Sequence, residues 1–157
     1  MYLVLEGKAV NVLRYGMLAL VAGALVVTTS LVKAAEPPPP PPQLVASLLD
    51  PLAHPAGRAG YGQKTDASGK ITASFLNVEV GPLNKELVGK KVNISIDNGP
   101  AIPVNVVLDP SGKNGCANLK LNSANMDRVP LVKPGSMLKV STPGNPPMAQ
   151  GKFAKAP

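Results

Sequence analysis

The sequence predicts an all-β protein, a small immunoglobulin-like β-sandwich of about six or seven short antiparallel strands. From about residue 64 onward, apolar and polar side chains alternate in short runs, as they do on half-buried strands. Glycine, proline, asparagine and aspartate separate these runs at the roughly 8–12-residue intervals typical of small all-β domains. No helical pattern alternates with the runs, as a parallel α/β sheet would require.

The first two strands are predicted on either side of a glycine–proline stop. Alternation over residues 71–75 slips by one position, so that residues 76, 78 and 80 are the next apolar ones. A slip of this kind is typical of a β-bulge or of a bend between sheets. After the stop at residues 81–82, strict alternation over residues 92–96 predicts a half-buried strand. Asn98-Gly99 supplies the turn that follows it.

The remaining strands are predicted over residues 102–108 and 117–121, with a last hairpin built from residues 137–141 and 148–153. Two turn sequences echo each other along this part of the chain, Asp-Ala-Ser-Gly-Lys at 66–70 and Asp-Pro-Ser-Gly-Lys at 109–113. Two hairpin turns of one type explain the match. A duplicated ancestral unit is the alternative explanation.

The N-terminal residues 1–34 predict export. An unbroken apolar run at 17–27 follows Arg14, and Val32-Lys33-Ala34 is an acceptable cleavage site for a signal peptide. The alternative is an uncleaved membrane anchor, although residues 16–32 only just reach the roughly 17-residue minimum for a spanning helix. In either case we expect the positively charged N-terminal flank to stay on the cytoplasmic side of the membrane. The rest of the protein is then extracytoplasmic: secreted, periplasmic, or anchored by its N-terminal helix.

Residues 35–59 are interpreted as a proline-rich linker. The six consecutive prolines at 37–42 predict a semi-rigid polyproline II spacer of about 20 Å. Apolar residues then recur at helical spacing, which predicts a short helix over 43–50. The β-sandwich domain is predicted to span residues 60–157.

Composition limits the classes of partner. The net charge is +7, and the lysines are scattered without interleaved aromatic residues. A nucleic-acid-binding module concentrates its basic residues in a stripe or a recognisable motif, so we expect no nucleic-acid partner. Residues 1–34 carry three basic residues and one acidic residue, and their removal would leave a mildly positive domain. Such a surface is solvated, with weak attraction to an anionic polymer of the envelope.

The chain does not present a recognisable catalytic set, and we expect a non-enzymatic protein without a cofactor. The single histidine, His54, lies in the predicted linker, so that Cys116 has no histidine beside it within the domain. A cysteine nucleophile needs such a partner, a cation or a helix start to lower its pKa. The loop at 109–115 faintly resembles a calcium loop, but Lys113 stands where the third ligand is needed.

Cys116 has three predicted outcomes. It is a buried and inert thiol, an exposed free thiol or, because the sequence phase points it away from the core, the link in a disulfide between two copies of the chain. An alternative interpretation groups Cys116 with Met126, Met137 and Met148 as soft ligands for Cu(I). Asn93-Ile94-Ser95 matches the acceptor triplet for N-glycosylation.

These observations predict an exported or membrane-tethered, non-enzymatic module that binds or scaffolds in the cell envelope. Its partner is an unknown protein or an anionic envelope polymer, and a homodimer through Cys116 stays open. It contacts a membrane only through an uncleaved N-terminal segment. The alternative function is an envelope metal-handling protein that uses the sulfurs of Cys116 and the methionines.

Overall fold

A computed structural model describes residues 41–157; the predicted export segment and most of the proline run lie outside the described residues. Within residues 41–157, no helix has the length and apolar character needed to cross a membrane. Two single-turn 3₁₀ helices, Lys85–Leu87 and Ser123–Asn125, interrupt the strands. The strands are β1 Leu44–Leu49, β2 Pro55–Thr65, β3 Ile71–Leu83, β4 Lys91–Ile96, β5 Ile102–Asn105, β6 Val107–Leu108, β7 Gly115–Asn122, β8 Met137–Ser141, β9 Pro147–Lys152 and β10 Ala154–Lys155.

The strands form one antiparallel sheet that is nearly closed into a barrel, in the order β5-β4-β8-β9-β1-β2-β3-β7-β6. The two ends of this order, β5 and β6, are successive segments of one stretch of chain separated by Val106. The Val106 N–H donates to the Lys90 carbonyl at 2.9 Å, and its carbonyl accepts from the Gly89 N–H at 3.0 Å. Near-closure of this kind shortens the unpaired strand edges that invite aggregation.

The predicted all-β antiparallel class is confirmed, and the predicted sandwich of two facing sheets is corrected to a single curved sheet. Alternation along a strand is the same in both architectures, because each buries one face of every strand. The difference lies in which strands pair. Here β1 pairs with β2 on one side and with β9 and β10 on the other, so the sheet curves back on itself.

The predicted helix over 43–50 is wrong, since residues 44–49 form strand β1. Leu44, Ala46 and Leu48 are buried and point inward, whereas Val45 and Ser47 lie on the outer face. The apolar residues of this segment fit both the helical repeat of 3.6 residues and the strand repeat of two residues. Backbone pairing with strands on both sides stabilises the strand. The predicted domain boundary at residue 60 falls inside β2.

The core fills the inside of the barrel and is almost entirely aliphatic, as the composition predicts. Its most deeply buried aromatic side chain is Phe153, which lies between β9 and β10 and is 1% exposed; Tyr61 of β2 is 3% exposed. The other large side chains that are fully buried are Leu48, Leu76, Val78, Val80, Val92, Ile94, Val106, Leu138 and Val140.

The phase slip in β3 is not a bulge. The pairing of β3 with β2 continues without interruption through Phe75, opposite Gly62, and Leu76, opposite Tyr61. Leu76 points into the barrel and Phe75 points outward, yet both are buried. The alternation of apolar and polar residues therefore changes phase because Phe75 is an apolar residue that is buried on the outer surface.

Three hairpin turns begin with an aspartate that caps its own turn. The carboxylate of Asp50 accepts hydrogen bonds from the N–H groups two and four residues later, at 2.8 Å each. Asp66 does the same at 2.9 and 3.0 Å. Asp109 accepts from the Ser111 hydroxyl at 2.7 Å and from the N–H of residue 113 at 3.2 Å. The predicted pair of similar turns thus has a third member at 50–54. Its sequence, Asp-Pro-Leu-Ala-His, lacks the Ser-Gly-Lys of the other two turns.

The fourth residue of each turn has a positive φ, and in the first turn that residue is not glycine. Gly69 and Gly112 have φ of 82° and 68°, and Ala53 has φ of 64°. Ala53→Gly removes the Cβ strain of the left-handed conformation and should stabilise the fold by about 0.5 kcal/mol after the entropy gained by the unfolded chain. Urea denaturation measures the change. Gly112→Ala is the reciprocal control and should destabilise; a loss of stability in Ala53→Gly would contradict the argument.

Candidate functional site

The aspartate carboxylates of the three turns accept hydrogen bonds from backbone N–H groups of the same turns. The Ser68 hydroxyl and then the Lys70 N–H lower the pKa of Asp66, and the Ser111 hydroxyl contributes most to the lowered pKa of Asp109. The His54 N–H has the largest part in lowering the pKa of Asp50. These groups stay ionised, but their oxygens already accept hydrogen bonds within the turns. They are therefore poorly placed to act as general acids or bases.

One outer surface of the barrel, formed by β4, β8 and β9, is rich in lysine and uncharged polar side chains. We call it the lysine face. The three strands contain no aspartate or glutamate. The register aligns Ser95, Lys139 and Gln150 in one row across the three strands. The residues of the lysine face are Lys91, Asn93, Ser95, Met137, Lys139, Ser141, Gln150 and Lys152.

The cations of the lysine face are not neutralised by neighbouring carboxylates. Within residues 41–157 the two ion pairs are His54–Asp50 and Arg58–Glu79, and neither includes a lysine. Lys139 Nζ instead donates to the Asn98 side-chain oxygen at 2.8 Å. Lys152 lies one strand over from Lys139 and two residues along, a diagonal of about 7–8 Å. Two lysines thus extend from neighbouring positions on the outer surface of the sheet.

The nearest turn contributes one carboxylate, Asp97, at the end of the lysine face. Its Oδ1 accepts from the Met137 N–H at 2.8 Å. The pKa of Asp97 is lowered, mainly by a hydrogen bond from the Ser136 hydroxyl and next by the hydrogen bond from the Met137 N–H. The positive charge of Lys133 lowers it further. The carboxylate therefore closes the loop before β8, and among the described residues neither Lys139 nor Lys152 has a carboxylate partner.

A second feature is a groove of about 390 Å³ on the outer surface of β1, β2 and β3, which we call the proline groove. Gly60 is in its floor and Phe75 in its wall, and Pro41 and Pro42 line one side. At one end, Arg58 Nε contacts Glu79 Oε2 at 2.7 Å. Because both of these side chains are exposed, their pair adds little to stability.

Beyond the Arg58–Glu79 pair lies a second concavity, of about 410 Å³, which includes Cys116. Cys116 is half-buried on the outer face of β7, opposite the exposed Val107 of β6. Its predicted orientation away from the core is confirmed, because its neighbour Ala117 points inward and is fully buried. The disulfide to a second copy stays a prediction.

The sulfurs grouped as soft metal ligands lie on separate parts of the barrel. Cys116 is on β7 and Met137 on β8, with β6, β5 and β4 between those strands. Met137 pairs with the end of β9 at Lys152, whereas Met148 is near its start and packs against the core. Met126 is 96% exposed beside the second 3₁₀ helix. The register does not favour a shared Cu(I) site.

His54 is not in a linker. It ends the β1–β2 turn, where its Nδ1 lies 3.1 Å from Asp50 Oδ2, and its side chain is 69% exposed. Within residues 41–157 no group of three or more histidine, cysteine, aspartate and glutamate side chains is arranged to hold a metal ion. Asn93 of the glycosylation triplet lies on the outer, half-buried side of β4, within the lysine face.

Comparison with protein-family models, characterised proteins and solved structures finds no match. The sequence patterns did not predict the lysine face or the proline groove, although each surface corresponds to a pattern in the sequence. Polar residues alternate with buried ones on β4 and β8, and Gly60 and Gly62 occupy successive outward positions of β2.

Proposed function

We propose that the protein is an exported or membrane-tethered, non-enzymatic barrel module that binds an anionic polymer of the cell envelope through the lysine face. The observation that supports this proposal is that each of three adjacent strands places one lysine on the same outer surface and that these strands contain no aspartate or glutamate. Export rests on the apolar segment and cleavage site of residues 1–34.

The shape of the surface favours a polymer over a small molecule. A sheet of several strands presents side chains about 4.8 Å apart across strands, which suits repeated contacts along an extended chain. The lysines supply charge, and Asn93, Ser95 and Gln150 supply uncharged donors and acceptors for hydroxyl or amide groups. Such contacts are individually weak, so that binding depends on their number and on low ionic strength.

Removal of the two neighbouring cations should weaken polyanion binding. We expect the double variant Lys139→Gln/Lys152→Gln to bind poly-L-glutamate about two- to thirtyfold more weakly, because an exposed ion pair contributes about 0.2–1 kcal/mol. Titration calorimetry at low salt measures the dissociation constant. A parallel titration with polyphosphate tells whether the face prefers carboxylate or phosphate groups.

The matched control is Lys64→Gln/Lys70→Gln, which removes the same charge at the far end of β2 and in the turn before β3. This control should bind within about twofold of the wild type at moderate salt, where charges beyond roughly 10 Å are screened. Equal weakening of both variants would mean that net charge alone attracts the polymer and would contradict a specific face. No binding by the wild type would remove the proposal.

A further inference from the structure

A cavity of about 350 Å³ lies between the β4–β5 turn and the segment that joins the second 3₁₀ helix to β8. We call it the arginine cavity. The turn and its flanking strands contribute Ile96, Gly99, Pro100 and Ile102 to the wall, and residues 128–130 form the rest of it. Segments far apart in the sequence therefore enclose one small space.

The wall of the arginine cavity is apolar where it meets the core of the barrel. Ile96 is 7% exposed and belongs to the core. Ile102 and Val129 are half-buried and pack against the same core. Small-molecule sites are typically concave, lined mainly by apolar side chains, and about 300–1,000 Å³ in volume. The arginine cavity lies at the lower end of that range, so it suits a small ligand with an apolar part.

The backbone of the wall offers few free hydrogen-bond donors. Pro100 and Pro130 have no N–H group. The Gly99 N–H donates to the Ile96 carbonyl at 2.8 Å, and the Val129 N–H donates to the carbonyl two residues earlier at 3.1 Å. A polar group of a ligand would therefore depend on a side chain for its partner.

That side chain is Arg128, the one charged residue that lines the cavity among the residues described. It is exposed, and neither of the two ion pairs formed within residues 41–157 includes it. The carboxylates that come closest along the two wall segments have other partners. Asp127 Oδ2 accepts from the Asn122 N–H at 2.9 Å, and Asp97 Oδ1 accepts from the Met137 N–H at 2.8 Å. The guanidinium thus offers its donors to an anion.

The charge of Arg128 and the apolar wall together define the ligand. A guanidinium matches the geometry of a carboxylate and forms charge-assisted hydrogen bonds with it. One cation balances one carboxylate, whereas a phosphate monoester carries about −1.5 to −2 charges at pH 7. Each CH₂ group that enters the cavity adds a favourable transfer free energy. An alkyl chain with a single carboxylate satisfies both parts of the site.

We propose that the arginine cavity binds a medium-chain fatty acid. The carboxylate accepts hydrogen bonds from Arg128, and the alkyl chain lies against Ile96, Ile102 and Val129. This site is separate from the lysine face, and it does not depend on the function proposed for that face.

The test is a titration of the full chain with octanoate, below the concentration at which octanoate forms micelles. Heteronuclear NMR should show shifts of the backbone amides of Gly99, Ile102 and Val129. Lengthening the probe from butanoate to hexanoate to octanoate should tighten binding by about two- to fourfold for each added CH₂ group. Octylammonium has the same chain with the opposite charge, and it should not shift these amides.

Arg128→Gln removes the cation from an exposed position, so the fold should be retained. The variant should bind octanoate about fivefold more weakly than the wild type. The matched control is Lys113→Gln, which removes the same charge from the turn between β6 and β7. This control should bind octanoate within about twofold of the wild type at moderate salt.

Three results would overturn the proposal. Octylammonium could bind as tightly as octanoate, or the shifts could be confined to Ser95, Lys139 and Gln150 of the lysine face. A third probe, an acetylated tripeptide that ends in leucine, could bind at the cavity more tightly than octanoate, which would identify a peptide C-terminus as the ligand. Shifts at Gly99, Ile102 and Val129 that depend on chain length, on the carboxylate and on Arg128 would support the fatty-acid site.

Discussion

Phe153→Ala should destabilise the barrel by about 3–5 kcal/mol, the usual cost of removing a fully buried aromatic side chain. Phe153 is 1% exposed, and its backbone is hydrogen bonded on both sides, to the Ser136 carbonyl at 2.9 Å and from the Gly135 N–H at 2.8 Å. The surrounding side chains are held by the nearly closed sheet, so we expect them to relax only partly into the cavity. Thermal unfolding should show a melting temperature lower by roughly 10–25 °C.

Two further variants separate cavity formation from a general effect of mutation. Phe153→Leu keeps most of the volume and should cost about 1–2 kcal/mol. Leu131→Ala truncates a side chain that is 61% exposed and should change stability by less than about 0.5 kcal/mol. A cost of Phe153→Ala below about 1 kcal/mol would mean that the β9–β10 segment does not belong to the core.

Gly57→Ala should destabilise the fold by about 3 kcal/mol or more, through strain and overlap together. Gly57 has φ of 147°, a conformation that L residues rarely adopt, and it lies in β2 opposite Val80. A Cβ at this position would overlap the backbone carbonyl oxygen of Glu79 on β3. Backbone atoms of a paired strand cannot rotate away, so the β2–β3 ladder must separate locally. Urea denaturation measures the decrease in the free energy of unfolding.

Gly69→Ala is the matched control for Gly57→Ala. Gly69 also has a positive φ, 82°, but nothing lies within 4 Å of a Cβ added there. Its expected cost is the conformational strain alone, about 1–2 kcal/mol. Equal losses in the two variants would show that contact with β3 contributes nothing at Gly57.

Local patterns predicted the strands after residue 70 well, because alternation and turn residues act over a few positions. The hairpin turns at 66–70 and 109–113 lie where their Asp-X-Ser-Gly-Lys sequences place them, each capped by its own aspartate. The same reasoning failed at 43–50, where leucines spaced for a helix form β1. It also failed at Phe75, whose burial on the outer surface imitated a change of phase.

The two candidate surfaces depend on pairings that no local pattern contains. The lysine face exists because β4 pairs with β8 and β8 with β9, which brings Ser95 and Lys139 side by side. The proline groove exists because Phe75 of β3 covers Gly62 of β2, while Pro42 lies over Gly60. Single lysines and single glycines in the sequence carry no information about these neighbours.

The sequence by itself determined the all-β class, the aliphatic core and the turns, since period-two alternation and capping aspartates act within a few residues. Only the tertiary structure decided that the sheet curves into a nearly closed barrel, that β1 is a strand and that both surfaces form. The physical reason is that β1 is stabilised by backbone hydrogen bonds to β9 and β10 at the far end of the chain. Such long-range pairing depends on which strands can meet, and not on the residues next to each strand in the sequence.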